Sequence, residues 1–302
     1  MARPALAQAW TQPAGGLYVK LMRAHVTAAT QWDFDGTEKP YAPGIEGTAF
    51  FDRSFYAYVE YGLTDRLTLV SLVPFKRVEV RDGRFAYETS GLGSVTLGLR
   101  WGLPVLFGVP LRRSAASISV LAVLPTGYTR NLTPSLGPGQ TDVEVALGYG
   151  LSLYPLPAYL QAGLGYRIRS DFYGLSRARP CPAPSAPAPS APAPSAPASC
   201  VVDERPAYAD EWRFSAEAGL NLGRWALLQT LVHGSWSNQP PETGFNPANP
   251  IPTRTRFVKT GAGLTLYPMP RLGLSTQVFR TPFGRNTLRS TDWFFGLEYR
   301  LP

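Results

Sequence analysis

Apolar and polar residues alternate one by one along most of this chain. Val143, Val145, Leu147, Tyr149 and Leu151 fall on one side, with Asp142, Glu144, Ala146, Gly148 and Gly150 on the other. Leu160, Ala162, Leu164, Tyr166 and Ile168 are set against Gln161, Gly163, Gly165, Arg167 and Arg169. Trp212, Phe214, Ala216, Ala218 and Leu220 alternate with Arg213, Ser215, Glu217 and Gly219. The last segment opposes Trp293, Phe295, Leu297, Tyr299 and Leu301 to Asp292, Gly296, Glu298 and Arg300. A period of two marks a β-strand whose faces meet different surroundings. These segments run well past the roughly five or six residues of an ordinary soluble strand and repeatedly end in aromatics. A soluble sandwich would turn the apolar face inward. Long strands with aromatic ends predict instead that this face meets lipid, with aromatic girdles at two interfaces.

The alternation predicts an all-β fold, a transmembrane antiparallel up-and-down β-barrel of about twelve strands. They cover approximately 17–30, 50–62, 67–80, 90–101, 114–128, 141–154, 159–172, 207–222, 225–237, 254–267, 272–281 and 291–301. Tight turns are expected at 62–66, 154–158, 222–224 and 267–271, and a longer one at 102–113. Longer loops are expected at 31–49, 81–89, 129–140, 173–206, 238–253 and 282–290. Short turns on one side, longer loops on the other and an even strand count with both termini on the turn side describe outer-membrane barrels.

Composition agrees. Hydrophobic residues make up 44% of the 302, yet no stretch approaches the roughly 18 uncharged apolar residues of a membrane helix. Aromatics at 12%, 29 glycines and 30 prolines suit many strands punctuated by turns. The formal charge is +8, but the arginines are scattered rather than gathered on one stripe, so no nucleic-acid partner is expected. Residues 1–14 read as a signal-peptide remnant or a flexible N-terminus. Ala5-Leu6-Ala7 has the small-x-small form of a cleavage site, although no apolar h-region precedes it. The barrel is then 15–302.

A Pro/Ala/Ser-rich insert at 181–200 interrupts the fourth long loop. Its repeat at 182–199 lacks the bulk for a core and favours extended polyproline II. Cys181 and Cys200 flank it and are the two cysteines of the chain. In an oxidising periplasm they are expected to form a disulfide, contributing roughly 3 kcal/mol by loop-closure entropy. A lone cysteine pair supplies no metal ligand set, and neither metal nor cofactor is expected.

Several segments resemble the outer-membrane family named for the meta-pathway of phenol degradation. The resemblance lies in Tyr58-Val59-Glu60-Tyr61-Gly62-Leu63-Thr64-Asp65-Arg66-Leu67-Thr68-Leu69, Val73-Pro74, Gly91-Leu92-Gly93-Ser94-Val95-Thr96-Leu97-Gly98-Leu99-Arg100, Leu124-Pro125-Thr126-Gly127 and Gly137-Pro138-Gly139-Gln140-Thr141-Asp142-Val143-Glu144. Order and spacing follow that family from about residue 17 to residue 301. The resemblance implies a barrel associated with uptake of aromatic or other apolar compounds, with no catalytic set. Barrels of this kind commonly finish on an aromatic residue read by the barrel-insertion machinery, whereas this chain ends Tyr299-Arg300-Leu301-Pro302.

With the apolar face on lipid, Tyr58, Glu60, Arg100, Glu144, Arg167, Arg169, Arg213, Glu217, Lys259, Glu298 and Arg300 are expected along the lumen, joined by Tyr56 and Tyr154. Two roles suit them: mutual neutralisation in cross-strand pairs, or a basic-leaning constriction that orients the acidic or hydroxyl group of a solute. The expected function is passive uptake of small hydrophobic or aromatic solutes by a monomer or weak oligomer in the bacterial cell outer membrane. The expected partners are outer-membrane lipid, those solutes and, during assembly, the insertion machinery. A structural or adhesive barrel acting through its loops is the alternative. A third class is a lipase-like hydrolase, because His233 and Ser235 share a strand face two residues apart with Asn238 close behind.

Overall fold

The computed structural model describes residues 9–42, 44, 47–83, 85–106, 109–110, 113–180, 201–242 and 251–301. Cys181 and Cys200, and with them the expected disulfide and the Pro-rich insert, lie outside the described residues.

Twelve strands form the wall. They are β1 (Leu17–Trp32), β2 (Phe50–Asp52 continued by Phe55–Thr64), β3 (Leu67–Asp82), β4 (Phe85–Leu92 continued by Val95–Leu103), β5 (Ser114–Leu124) and β6 (Asp142–Ser152). The second half comprises β7 (Ala158–Arg169), β8 (Glu211–Leu222), β9 (Ala226–Ser237), β10 (Arg256–Met269), β11 (Leu272–Arg285) and β12 (Thr287–Leu301). Each strand pairs antiparallel with the next, and β12 returns to β1 from Leu17↔Leu301 to Trp32↔Thr287. That seam closes the sheet and leaves no edge, which a backbone in hydrocarbon requires.

All twelve expected strands are present, with shifted ends. Two expected loops, 81–89 and 282–290, are strand arms. The β3–β4 ladder continues to Asp82↔Phe85, and β11 passes to β12 through Asn286 at φ 51°. Asparagine is among the few residues other than glycine that tolerate this left-handed turn conformation, so the hairpin closes without a loop. Conversely β5 stops at Leu124, where Pro125 offers no ladder donor, and β7 stops at Arg169.

The faces are inverted relative to a soluble protein. Val145, Leu164 and Phe295 are 46%, 52% and 52% exposed outward, while Asp142 and Glu298 are 1% exposed inward. At the loop end Tyr166, Trp212 and Trp236 stand in register across β7, β8 and β9. Trp101, Trp225 and Met269 are exposed near the turn end. Aromatics thus ring both ends of an apolar band, as two bilayer interfaces demand.

Leu164 lies midway along β7 on the outer face. Leu164→Arg is expected to cost about 2–4 kcal/mol, against near-neutrality for Leu164→Phe, as read from urea unfolding of the refolded protein in bilayers.

Candidate functional site: a chamber in the lumen

The barrel encloses a cavity of about 440 Å³. Its side wall carries Met22, Val70, Leu72, Leu121, Leu231, Phe279 and Phe294, and its ends carry Tyr58, Arg100, Glu144, Arg167, Arg213 and Glu217. The volume is that of a small-molecule site, and the mixture of apolar wall and a few polar groups is characteristic of one. Of the expected lumen residues those last six line the chamber. Glu60, Arg169, Lys259, Glu298 and Arg300 also turn inward and are engaged in ion pairs, but are not among the lining residues. Tyr56 faces the lumen, its ring 6.4 Å from that of Phe294. Tyr154 does not: it sits in the β6–β7 turn, 69% exposed.

At the loop end, Arg167 is directly opposite Glu144 and reaches it at 2.8 Å, and Arg169 reaches the opposite Asp142 at 3.1 Å. Glu211 lies 3.4–3.6 Å from Arg167, Arg169 and Arg213. Arg213 also approaches Glu144, two strands away, at 3.6 Å. The intervening residue is Gly165, where an added Cβ would meet the Glu144 carboxylate at 3.3 Å. This glycine is therefore the opening through which Arg213 reaches across.

Towards the turn end, Arg100 meets Glu60 at 2.7 Å over the intervening β3, with the Tyr58 hydroxyl donating to the same carboxylate. Lys20 and Glu298 pair at 3.0 Å, both 1% exposed, with Arg300 at 3.6 Å from Glu298. On the loop side instead, Lys259 is bonded to Asp292 and donates to Ser290 at 3.2 Å. Glu217 accepts from the Tyr159 hydroxyl and from the Gln161 and Gln229 amides at 2.8 and 2.7 Å. Seven of the inward cations (Lys20, Arg100, Arg167, Arg169, Arg213, Lys259 and Arg300) thus stand among the inward carboxylates Glu60, Asp142, Glu144, Glu211, Glu217, Asp292 and Glu298. Three of those acids, Asp142, Glu211 and Asp292, lie outside the expected set and offset much of its positive charge.

The turn end is crossed by a strap. Residues 9–16 run inward from β1, with the Gln12 amide N–H donating to Thr68 Oγ1 at 2.8 Å and the Gln12 side chain to Glu60 at 2.6 Å. The Trp10 carbonyl accepts from Arg100 at 3.2 Å. Its indole reaches the far wall, edge-on to Tyr159 with centroids 6.2 Å apart, beside Leu227 and Tyr267. The ring fills the space that a side chain at position 150 would need, since a Cβ on Gly150 would lie 2.2 Å from it. Where residues 1–14 read as remnant or flexible from sequence, residues 9–14 are fastened to the barrel by these contacts, and residues 1–8 lie outside the described set.

The loop end is covered in part by segments after β5 and β7. Lys76, inward on β3, donates to the Leu136 carbonyl at 3.3 Å, and Tyr173 donates to Gln140 at 3.0 Å and Pro206 at 2.5 Å. Burial pushes the Tyr173 phenol up to about 12, so it remains a donor at ordinary pH.

The hydrolase constellation does not assemble. Ser235 Oγ donates to Glu211 at 2.5 Å, His233 stacks edge-on to Phe279 with ring centroids 4.9 Å apart, and Asn238 donates to Tyr166 at 3.2 Å. Each group is turned to a different neighbour, so His233 does not address the serine.

Sequence reasoning missed the apolar part of the inner wall and the strap. The wall left a signal where alternation breaks, as in Trp293-Phe294-Phe295 and Leu231-Val232: two apolar neighbours on a strand put one of them inside. Trp10 and Gln12 left none.

No family model matches the chain, and no curated protein matches it. An outer-membrane channel from Pseudomonas putida F1 is similar over 100% of both chains, with 16% identity and a TM-score of 0.68. Solved structures with lower scores include the KdgM porin (6% identity, TM-score 0.48, 94% of this chain and 99% of that one) and the CymD monoaromatic hydrocarbon channel (10%, 0.46, 96% and 88%). At 16% identity the likeness to the first of these supports the barrel fold alone.

Arg100→Met leaves Glu60 buried without its cation and removes a tie to the strap. A loss of about 3 kcal/mol is expected in urea unfolding, and Glu60→Gln in the same background should restore part of it.

Proposed function

We propose that this protein is an outer-membrane channel for passive uptake of small hydrophobic or aromatic solutes, in keeping with the resemblance to the meta-pathway family. The observation that carries the reading is the chamber: an apolar, aromatic-bearing wall inside a barrel whose inward charges are largely paired. An apolar solute gains by leaving water for Leu72, Leu121, Phe279 and Phe294, whereas a neutralised wall offers no strong field to hold or repel an ion. Tyr58, Arg100, Glu144, Arg167, Arg213 and Glu217 would contact the solute's polar end. Glu60, Arg169, Lys259, Glu298 and Arg300 would hold those groups and the wall in place. The chain itself does no chemistry in this reading. It works as a monomer or weak oligomer, with outer-membrane lipid around it and the insertion machinery as its assembly partner.

The strap stands across the axial exit, so release on the turn side requires Trp10 to leave its site against Tyr159. Trp10→Ala with Gln12→Ala is expected to raise single-channel conductance several-fold in planar bilayers, while unfolding midpoints fall only slightly. Unchanged conductance would show that solute leaves by a route that avoids the strap.

The decisive test is influx into liposomes containing the refolded barrel, comparing a small phenolic compound with a sugar of similar size and correcting for leak into empty liposomes. Faster phenolic influx alone is the expected result. Equal influx would make this a general pore, and no influx above the empty control would remove transport and turn attention to the loops.

A further inference from the structure

We propose that Arg256 and Arg285 form an external site for the phosphate of an anionic outer-leaflet glycolipid, lipid A in chemical terms. The proposal rests on the outer-membrane reading, but on a different face of the barrel from the chamber.

Trp236 of β9 is directly opposite Arg256 of β10, which is directly opposite Arg285 of β11. Residues paired in this way share one face of a sheet, and Trp236 is 38% exposed on the outer one. Both guanidinium groups therefore stand outside the barrel. Their row continues the girdle formed by Tyr166 and Trp212, so they sit at the headgroup level of the loop-side leaflet.

Two like charges directly opposite each other weaken a strand pair. Neighbouring arginines avoid this: Arg254 is 3.0 Å from Glu242, and Arg289 is bonded to Glu38 at 2.5 Å. Among the described residues neither Arg256 nor Arg285 has a carboxylate within salt-bridge distance. In the lumen Arg100, Arg167 and Arg169 each meet a carboxylate, whereas here two cations on neighbouring strands stand directly opposite each other. A phosphate between the two would convert repulsion into attraction, because each guanidinium presents a planar fork that matches phosphate oxygens.

The surroundings favour a lipid over a soluble anion. The Arg256 guanidinium lies 4.9 Å from the Trp236 ring centroid, and Trp236 stacks on Phe283 at 5.9 Å with planes 6° apart. Arg256 Nε donates to the Ser237 carbonyl at 3.3 Å, which steadies the head. A flat apolar platform directly beside paired cations fits an amphiphile with a phosphorylated head.

The test is native mass spectrometry of the refolded full chain in detergent with diphosphorylated lipid A, its dephosphorylated form and inorganic pyrophosphate. Wild type should retain diphosphorylated lipid A, and R256Q/R285Q should lose it by roughly tenfold, with R256K/R285K between the two. Heat-modifiable mobility on gels checks folding, and the single variants R256Q and R285Q serve if the double variant fails it. Equal retention by wild type and R256Q/R285Q would overturn the site. So would no retention by wild type, equal retention of the dephosphorylated lipid, or displacement by equimolar pyrophosphate. Because solute influx is read separately, a barrel that binds lipid A without conducting would remove only the channel reading, and one that conducts without binding would remove only this site.

Discussion

The seam between β12 and β1 is the constraint from which the other features follow. A backbone in hydrocarbon must pair every amide and carbonyl internally, and a sheet does so only by closing. Closure at twelve strands puts the apolar face outside and leaves a narrow interior for everything polar. Lone charges there would cost several kcal/mol each in lost hydration. The pairing of Arg167 with Glu144, Arg169 with Asp142, Arg100 with Glu60 and Lys20 with Glu298 is the response, and it removes most of the net charge from the path.

The ion pairs are also spacers. They gather at the two ends of the chamber, where networks such as Glu211 with three arginines tie neighbouring strands together. Between them the inner wall turns to Leu, Met, Phe and small residues, and there the volume remains open. Gly165 and Gly150 show how finely the space is divided: one lets Arg213 cross to Glu144, the other receives the Trp10 ring. Chamber, ion-pair ends and strap are thus one arrangement, with Arg100 joining all three through Glu60, the cavity and the Trp10 carbonyl.

Charge outside the barrel follows another rule. In the lumen most cations find an acid from the same chain. On the outer face the solvent is lipid and headgroup, so a pair such as Arg256 and Arg285 has access to partners that the chain does not supply.

The alternation of residues was enough to determine the strand count, the inverted faces and the inward position of Glu60, Arg100, Glu144 and Arg213. These follow from a period of two and from the energy of placing charge in lipid, both local properties of each strand. Turn chemistry was legible where proline or glycine enforced it and misread at 81–89 and 282–290, where cross-strand pairing extends the arms beyond the apolar pattern. Which acid meets which base was not legible, because register and barrel closure bring together residues such as Arg100 and Glu60 or Lys20 and Glu298 that lie far apart in the chain. The same holds for the charge balance of the lumen, the place of the chamber and the return of Trp10 to Tyr159. Each depends on distances across a closed interior, and those exist only once the last strand has found the first.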